Sequence, residues 1–575
     1  MKFPKLGRLV ALAFVLCWVS ALPAQDFRFG VQTHFAQGWN LAWVPPVGQA
    51  GITSVRDELY WNNIEASPGV YAFPASFDAY MAALGNAGIS PLIELDFANP
   101  NYDAGATPYD AAGIAGFCNY ATQVLLHYGS QISAVEVWNE YDGNFCTGPA
   151  AVNRPVSYQA LLQSTYATIK AMRPDVTVVA GATSGTDLTF FQGVFAAGGL
   201  ASLDVLSLHP YRYTSPPEGI ENNIASLQTL TRLYNNGATK PIWVSEIGWY
   251  THTSTGPGDV TITNAIQAEY VVRCYALLLS AGVERVYWYL LYDNPSQDDG
   301  VNLGLLPSSL SIPPKPAYVA MTTLTTQLQG AQFVRREGTP NSTYSLLFQR
   351  SDGTQVRILW ALNPMTVFVT GATGAVDMLG NTLPLSGSFA LTPSPIFVSG
   401  ALAGLPNQNG TVLADTLRDF SSTQGYNGWT LGYTIAGANF TAAPTFQLRN
   451  TSAPQWTAPF FYFSITQSDQ LPSSTEGAQV AAVRRWTSNT SGRVEITANF
   501  ATKQQGGNGV GASILINGKL LVRKLLGGGR TTSDAFDLIA TISPGTTIDF
   551  AVDTGTGTGN SYDATAVDAT ITSRP

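Results

Sequence analysis

The chain has 575 residues, enough for about three domains. Only 12% of them are charged, while aromatics reach 11% and Gly numbers 55, a balance opposite to that of a disordered chain. The formal net charge is −9 and no basic block occurs, which argues against a nucleic-acid partner.

Lys2, Lys5 and Arg8 precede the apolar run Leu9–Val19, and small residues follow at Ser20, Ala21 and Ala24. This charged, apolar, small order is that of a secretory signal, residues 1–24, too short to span a bilayer. Its removal takes three positive charges from the −9, leaving −12. Cys17 follows Phe14, Val15 and Leu16, so a lipid anchor is not expected. No later segment has about 18 uninterrupted apolar residues. The expectation is a secreted, periplasmic or cell-surface protein without membrane insertion. Cys118, Cys146 and Cys274 then remain. An oxidising compartment permits one disulfide, and Cys118–Cys146 is the expected pair. Cys274, within the apolar run Tyr270–Leu279, reads as a buried thiol.

Residues 27–328 alternate strand-like and helix-like runs. The predicted strands are Phe29–Phe35, Ser54–Leu59, Pro91–Phe97, Ala134–Asn139, Val176–Ala180, Val205–His209, Pro241–Glu246 and Arg285–Leu291. Helical runs include Ala75–Asn86, Ile114–Tyr128, Tyr158–Met172, Ala265–Ala281 and Tyr318–Leu328. Eight strands with intervening helices predict a closed (β/α)8 TIM barrel, residues 25–328. An open doubly wound sheet competes, but no Gly-rich phosphate turn follows the first strand. Short runs such as Tyr344–Gln349, Val356–Ala361, Val367–Thr370 and Phe389–Leu391 predict a small β-sandwich over 329–403, with a linker at 400–410. Residues 404–575 read as a C-terminal, jelly-roll-like β-sandwich with Gly-rich turns at Gln505–Gly511 and Gly527–Gly529.

Catalytic groups of such a barrel sit at the C-terminal strand ends. The fourth predicted strand leads to Glu140 and the seventh ends in Glu246, both on the inward parity. Strands four and seven lie across the barrel, so both carboxylates can face one cleft. Two carboxylates about 5–5.5 Å apart suit retaining glycoside hydrolysis, one as acid/base and one as nucleophile. Asp96, inward on strand three, and His34, ending strand one, are further candidate sugar contacts. Trp249, Tyr250 and Trp39 are candidate rim aromatics, and each also suits a core position. His127 lies in a helix and reads as structural. The four His and the Cys residues never fall at metal-ligand spacing, and neither a Gly-x-Ser-x-Gly elbow nor a Walker loop is present. No metal or cofactor is expected.

Trp138–Asn139–Glu140 together with Glu246 resembles clan A of the glycoside hydrolases. Val55–Arg56–Asp57, Trp61, Ile64–Glu65 and Gly69–Val70–Tyr71 resemble its second strand and loop. His209–Pro210–Tyr211 resembles the end of its sixth strand, and Lys315–Pro316–Ala317–Tyr318 the start of its last helix. The resemblance covers residues 27–400. Family 39, with bacterial exopolysaccharide-degrading members, is most similar in pattern, and family 5 is a neighbour. Many relatives have Pro after the first Glu, where this chain has Tyr141–Asp142–Gly143. The resemblance implies Glu140 as acid/base and Glu246 as nucleophile. It implies Asn139 on the sugar 2-hydroxyl, Arg56 beneath the nucleophile, Tyr211 donating to Glu246, and Trp288 as a platform under the sugar. A buried ion pair of Arg56 with Glu136 or Glu94 is compatible with that role. His209 is read equally as a ligand contact or as support for the carboxylates.

In the C-terminal section, Trp429, Tyr433, Trp456, Phe460–Phe463, Trp486 and Tyr562 are read first as sandwich core and second as glycan contacts. A Ca²⁺ site using Asp549, Asp553 or Asp563 has no support from spacing. The expected activity is that of a secreted, retaining, endo-acting glycosidase on a polysaccharide or oligosaccharide. A non-catalytic glycan-binding or assembly protein is the alternative from another class, and a transglycosylase would use the same residues. The loops Thr251–Thr263 and Asn294–Ser311 shape the cleft, and the sequence does not state an oligomeric state.

Overall fold

The computed structural model describes residues 26–252, 261–294, 302–337 and 343–401, and 412–574 apart from 436–438, 449–453, 461, 476–477, 504–508, 528–532 and 556–562. The signal-like segment 1–24, the linker, Tyr562 and parts of the named loops and Gly-rich turns lie outside the described residues.

Eight parallel strands close a barrel in chain order: β1 (Phe29–Gln32), β2 (Ser54–Tyr60), β3 (Ser90–Asp96), β4 (Ala134–Val137), β5 (Thr177–Ser184), β6 (Val205–His209), β7 (Ile242–Ile247) and β8 (Arg285–Trp288). Closure comes from β1 pairing with β8, Gly30 opposite Tyr287. Gly30 is required there, because a Cβ would sit 2.4 Å from the Tyr287 ring. Apolar, often β-branched runs form strands buried on both faces. Helices between them carry local start signals; Asp110 accepts from the backbone N–H of Ala112 and Gly113 to open Ala111–Tyr128. The helices Leu188–Ala196 and Ile220–Tyr234 complete the outer ring and were not predicted.

The lumen changes character with height. Leu92, Ala134, Val179, Val205, Trp243 and Tyr287 fill the lower end with an apolar layer. Two residues above Leu92 and Ala134, Glu94 and Glu136 stand side by side with Glu58 of β2 in the register of β2, β3 and β4. Three acids in one row need protons or cations nearby.

After the helix Pro316–Leu328 come β9 (Gln332–Arg336), β10 (Thr343–Gln349), β11 (Gln355–Ala361), β12 (Met365–Phe368), β13 (Ala372–Asp377), β14 (Ser388–Leu391) and β15 (Ile396–Gly400). They form an antiparallel sheet of order β13-β15-β11-β10-β9 and a ribbon β12-β14. The strand period of two is explicit: Leu346, Phe348, Ile358 and Trp360 join the barrel core, while Leu359, Ala361 and Val398 pack under the ribbon. Residues 412–574 build two further sheets, eight- and seven-stranded among the described residues. Trp429, Trp486, Phe500 and Phe550 fill the core between them, and Trp456 and Phe463 form a neighbouring cluster. This module touches the barrel where Ser226 Oγ donates to Gln467 Oε1 (2.7 Å).

The expected disulfide does not form: Cys118, Cys146 and Cys274 are buried free thiols. The Cys118 thiol packs 3.8 Å from Thr165 Oγ1 on a neighbouring helix, while that of Cys146 is buried beside Tyr141. Each sulfur is committed to its own neighbours, so chain proximity does not become a Cys–Cys contact.

Candidate active site

Glu140 follows β4 and Glu246 lies on β7. The turn carrying Glu140 holds Trp138 at φ 68° and Glu140 at φ 41°, left-handed values that are costly for residues with a Cβ. Backbone bonds on both sides fix it: Trp138 N–H donates to Leu95 O (3.0 Å) and Glu140 N–H to Ala182 O (2.8 Å). Asp142, in the Tyr-Asp-Gly departure, accepts from Ser184 N–H (3.0 Å) and so ties the same turn to β5. Burial raises the Asp142 pKa to about 6 against that bond.

One imidazole lies between the two carboxylates. His209 Nδ1 is 3.1 Å from Glu140 Oε1 and 3.7 Å from Glu246 Oε2, and His209 Nε2 is 3.1 Å from Ser245 Oγ. His209 is fully buried with both nitrogens engaged, so it supports the carboxylates and offers no nitrogen to a ligand. One ligand atom from each of Glu140, His209 and Glu246 lies within 4.8 Å of the others. Among the described residues this trio alone has the spacing to chelate a metal ion.

Arg56, 1% exposed, lies under Glu246 with each of its three nitrogens engaged. Nε donates to Glu136 (2.6 Å), and Nη1 to Glu246 Oε1 (2.7 Å) and Gln32 Oε1 (3.0 Å). Nη2 donates to Asn139 Oδ1 (3.1 Å) and forms an ion pair with Glu94 Oε2 at 2.8 Å. The bond to Asn139 orients that side chain with its Nδ2 away from the guanidinium. Tyr211 O–H donates to Glu246 Oε2 (2.9 Å). Burial works to raise the Glu246 pKa, but His209, Arg56, the Tyr211 hydroxyl and His34 together hold it below the usual carboxylate value.

His34 reaches Glu58 Oε1 through Nδ1 (2.7 Å) and Tyr289 Oη through Nε2 (3.2 Å). Burial disfavours its charge, but the Glu58 charge and hydrogen bond outweigh burial and raise its pKa to about 9. With both nitrogens taken, His34 braces Tyr289 in place of touching sugar itself. Asp57 fixes the turn before it, accepting from Thr33 Oγ1 and Phe35 N–H (both 2.8 Å).

Three expected sugar contacts are corrected by burial. Trp288 is fully enclosed and donates through Nε1 to Leu303 O (3.2 Å). Trp249 is equally enclosed, with its Nε1 on Ser215 O (2.8 Å) and its ring against Trp288. Asp96 is fully buried at the end of β3. The half-buried aromatic that faces the site is Tyr289, edge-on to both His34 and Tyr211. Trp39 lies 5.4 Å edge-on to His34. Tyr289 and Gln32 were missed; the aromatic run Tyr287–Trp288–Tyr289 and a lone Gln in an apolar strand were the available signals. His127 sits outside the barrel, 2.8 Å from Asp78.

The other motif residues are structural. Buried Glu65 accepts from Trp61 Nε1 (2.6 Å), Gly69 N–H (2.6 Å) and Tyr102 Oη (2.8 Å), which staples the loop after β2. Lys315 pairs with Asp293 (3.0 Å), tying the last helix to the loop after β8.

The closed (β/α)8 barrel followed by antiparallel sheets is a fold that this chain shares with solved glycoside hydrolases. The individual likenesses are distant. A family 39 glycoside hydrolase from the gut symbiont Bacteroides cellulosilyticus WH2 is similar at 24% identity and TM-score 0.56, over 65% of this chain and 81% of that one. A GH86 protein solved with neoagarooctaose is similar at 10% identity and TM-score 0.53, over 96% and 95% of the two chains. No family model matches the sequence, and no curated protein matches it.

Proposed function

We propose that the protein is a secreted, retaining glycoside hydrolase that cleaves within a polysaccharide, with Glu140 as acid/base and Glu246 as nucleophile. The observation that carries this reading is the approach of Glu140, His209 and Glu246 to within 4.8 Å. That spacing suits direct attack on the sugar; inverting pairs, about 6.5–9.5 Å apart, leave room for a water.

In the first step a Glu246 oxygen bonds to the anomeric carbon. The bond from that carbon to the leaving oxygen breaks, and Glu140 gives that oxygen its proton. Glu140, now a carboxylate, takes a proton from water as the water attacks the anomeric carbon. The ester to Glu246 breaks and both groups return to their starting states. Arg56 and Tyr211 keep Glu246 ionised and aimed. Tyr289 presents a ring to the C–H face of the sugar. Residues 25–328 are the catalytic unit and 404–575 an attached β module.

The test is incubation of the purified mature protein with a polysaccharide panel, with products read by mass. Release of oligosaccharides is expected, abolished in Glu246→Ala and partly restored by azide in Glu140→Ala on an activated substrate. Full activity in either variant without azide overturns the assignment. Glycan binding with no product favours a non-catalytic role, and products longer than the substrate favour transglycosylation.

A further inference from the structure

Beneath the carboxylate pair lies a second acid group that the reaction does not use. Glu94 and Asp96 are two residues apart on β3 and therefore share a face. Both are enclosed, at 1% and 0% exposure. Glu94 Oε2 is held by Arg56, but Glu94 Oε1 and both oxygens of Asp96 receive no N–H or O–H from any other residue. Yet the two carboxyls are within hydrogen-bonding reach of each other.

Two carboxylates cannot hydrogen-bond without a proton, and a buried ionised Asp96 with no donor would be strongly unfavourable. The surroundings add negative charge. On β2, Glu58 stands beside Glu94 and Tyr60 beside Asp96 in register, and the charge of Asp57, on the other face of that strand, also acts on the pair. From β4 comes Glu136, and Tyr120 approaches from the helix behind. The nearby cations are Arg56 and, across Glu58, His34. Burial foremost pushes the Asp96 pKa up and the Glu58 charge adds to it, while the Glu94 hydrogen bond and the Arg56 charge oppose them without cancelling the rise. Burial likewise raises that of Glu94, with Arg56 opposing.

We propose that Asp96 and Glu94 share one proton, Asp96 donating to Glu94 Oε1, and that this proton makes Asp96 a positioning residue for the nucleophile. Arg56 serves three carboxylates: Glu94, Glu136 and Glu246. A second negative charge on the Glu94–Asp96 pair would draw on the same guanidinium and weaken its hold on Glu246. The shared proton keeps that hold. The consequence for catalysis rests on the proposed function; the proton itself does not.

The experiment therefore has two readouts. Infrared spectra at neutral pH, with Asp side-chain carboxyls labelled by heavy carbon, report a protonated Asp whether or not a substrate is known. An Asp-derived carbonyl band is expected in the wild type and is lost in Asp96→Asn. The second readout is the acid limb of kcat/KM on an activated glycoside. Asp96→Asn replaces one neutral donor by another, so the limb is expected to stay in place. Glu94→Gln removes one claimant on Arg56, and the limb is expected to move down by about one pH unit, about tenfold in rate on the limb. Absence of the band in the wild type overturns the shared proton, as does a downward shift of the limb in Asp96→Asn. An unmoved limb in Glu94→Gln overturns the positioning role. If a variant fails to fold, the labelled wild-type spectrum still decides the proton. Failure to hydrolyse any glycan removes the catalytic role and leaves the band test intact.

Discussion

Arg56 holds Glu246 through a 2.7 Å bond from Nη1 to Oε1, in the same fork that binds Glu136 at 2.6 Å. The site and the barrel interior therefore share one cation. Arg56→Leu would leave several buried carboxyls without it and is expected to cost about 3–5 kcal/mol, as for a broken buried ion pair. Denaturant unfolding checks this. Arg56→Lys keeps the charge but not the five-donor geometry. It is expected to fold and to lose about 100-fold or more in kcat/KM on whichever glycan the panel identifies.

Tyr289, not Trp288, faces the site. Tyr289→Ala is expected to lose about ten- to a hundredfold in kcat/KM, in line with the 1–3 kcal/mol of a buried aromatic contact. Tyr289→Phe retains the ring and loses the bond to His34, so a smaller loss is expected. Steady-state kinetics separates the two. Equal losses would move the role from the ring to the hydroxyl.

His34 makes stability depend on alkaline pH. Its folded pKa of about 9 lies above the ordinary value of 6.5, so the folded state binds the proton more tightly. The contribution is fully present below pH 6.5 and is lost as pH rises through about 9. Unfolding free energy is expected to fall by up to about 3 kcal/mol across that window. His34→Gln is expected to flatten the slope, measured by denaturant titration at several pH values.

The three buried cysteines are reduced in the folded protein. A thiol reagent is expected to react with none of them in the native state and with all of them after unfolding. Added reductant is expected to leave Tm unchanged. A reductant-dependent drop in Tm would restore the Cys118–Cys146 bridge.

Much of the fold was legible because it is periodic. Eight apolar strand-length runs separated by helical runs have few closed solutions. Alternation along a strand puts Glu140 on the side of Glu136, but on β7 it puts Ser245, not Glu246, on the lumen side of Trp243; a register shift between Val244 and Ile247 turns Glu246 to the site. The strand ends were less legible. β8 stops at Trp288, where the apolar run suggested Leu291, and the chain leaves the sheet at Tyr289. A shift of one residue exchanges the buried face for the open one, so Trp288 became core and Tyr289 faced the site.

The sequence by itself determined the barrel, the two glutamates at opposite strand mouths and the arginine that could serve them. Only the tertiary structure decided what each group touches. Asp96 has the same inward parity as a sugar-binding acid would have, but height in the lumen buries it against Glu94. Cys118 and Cys146 are close in the chain, but their own neighbours keep them apart. Periodicity specifies the side of a strand on which a residue lies. Depth and partners depend on where neighbouring strands stop and how their loops return, and those are set by contacts between residues far apart in the chain.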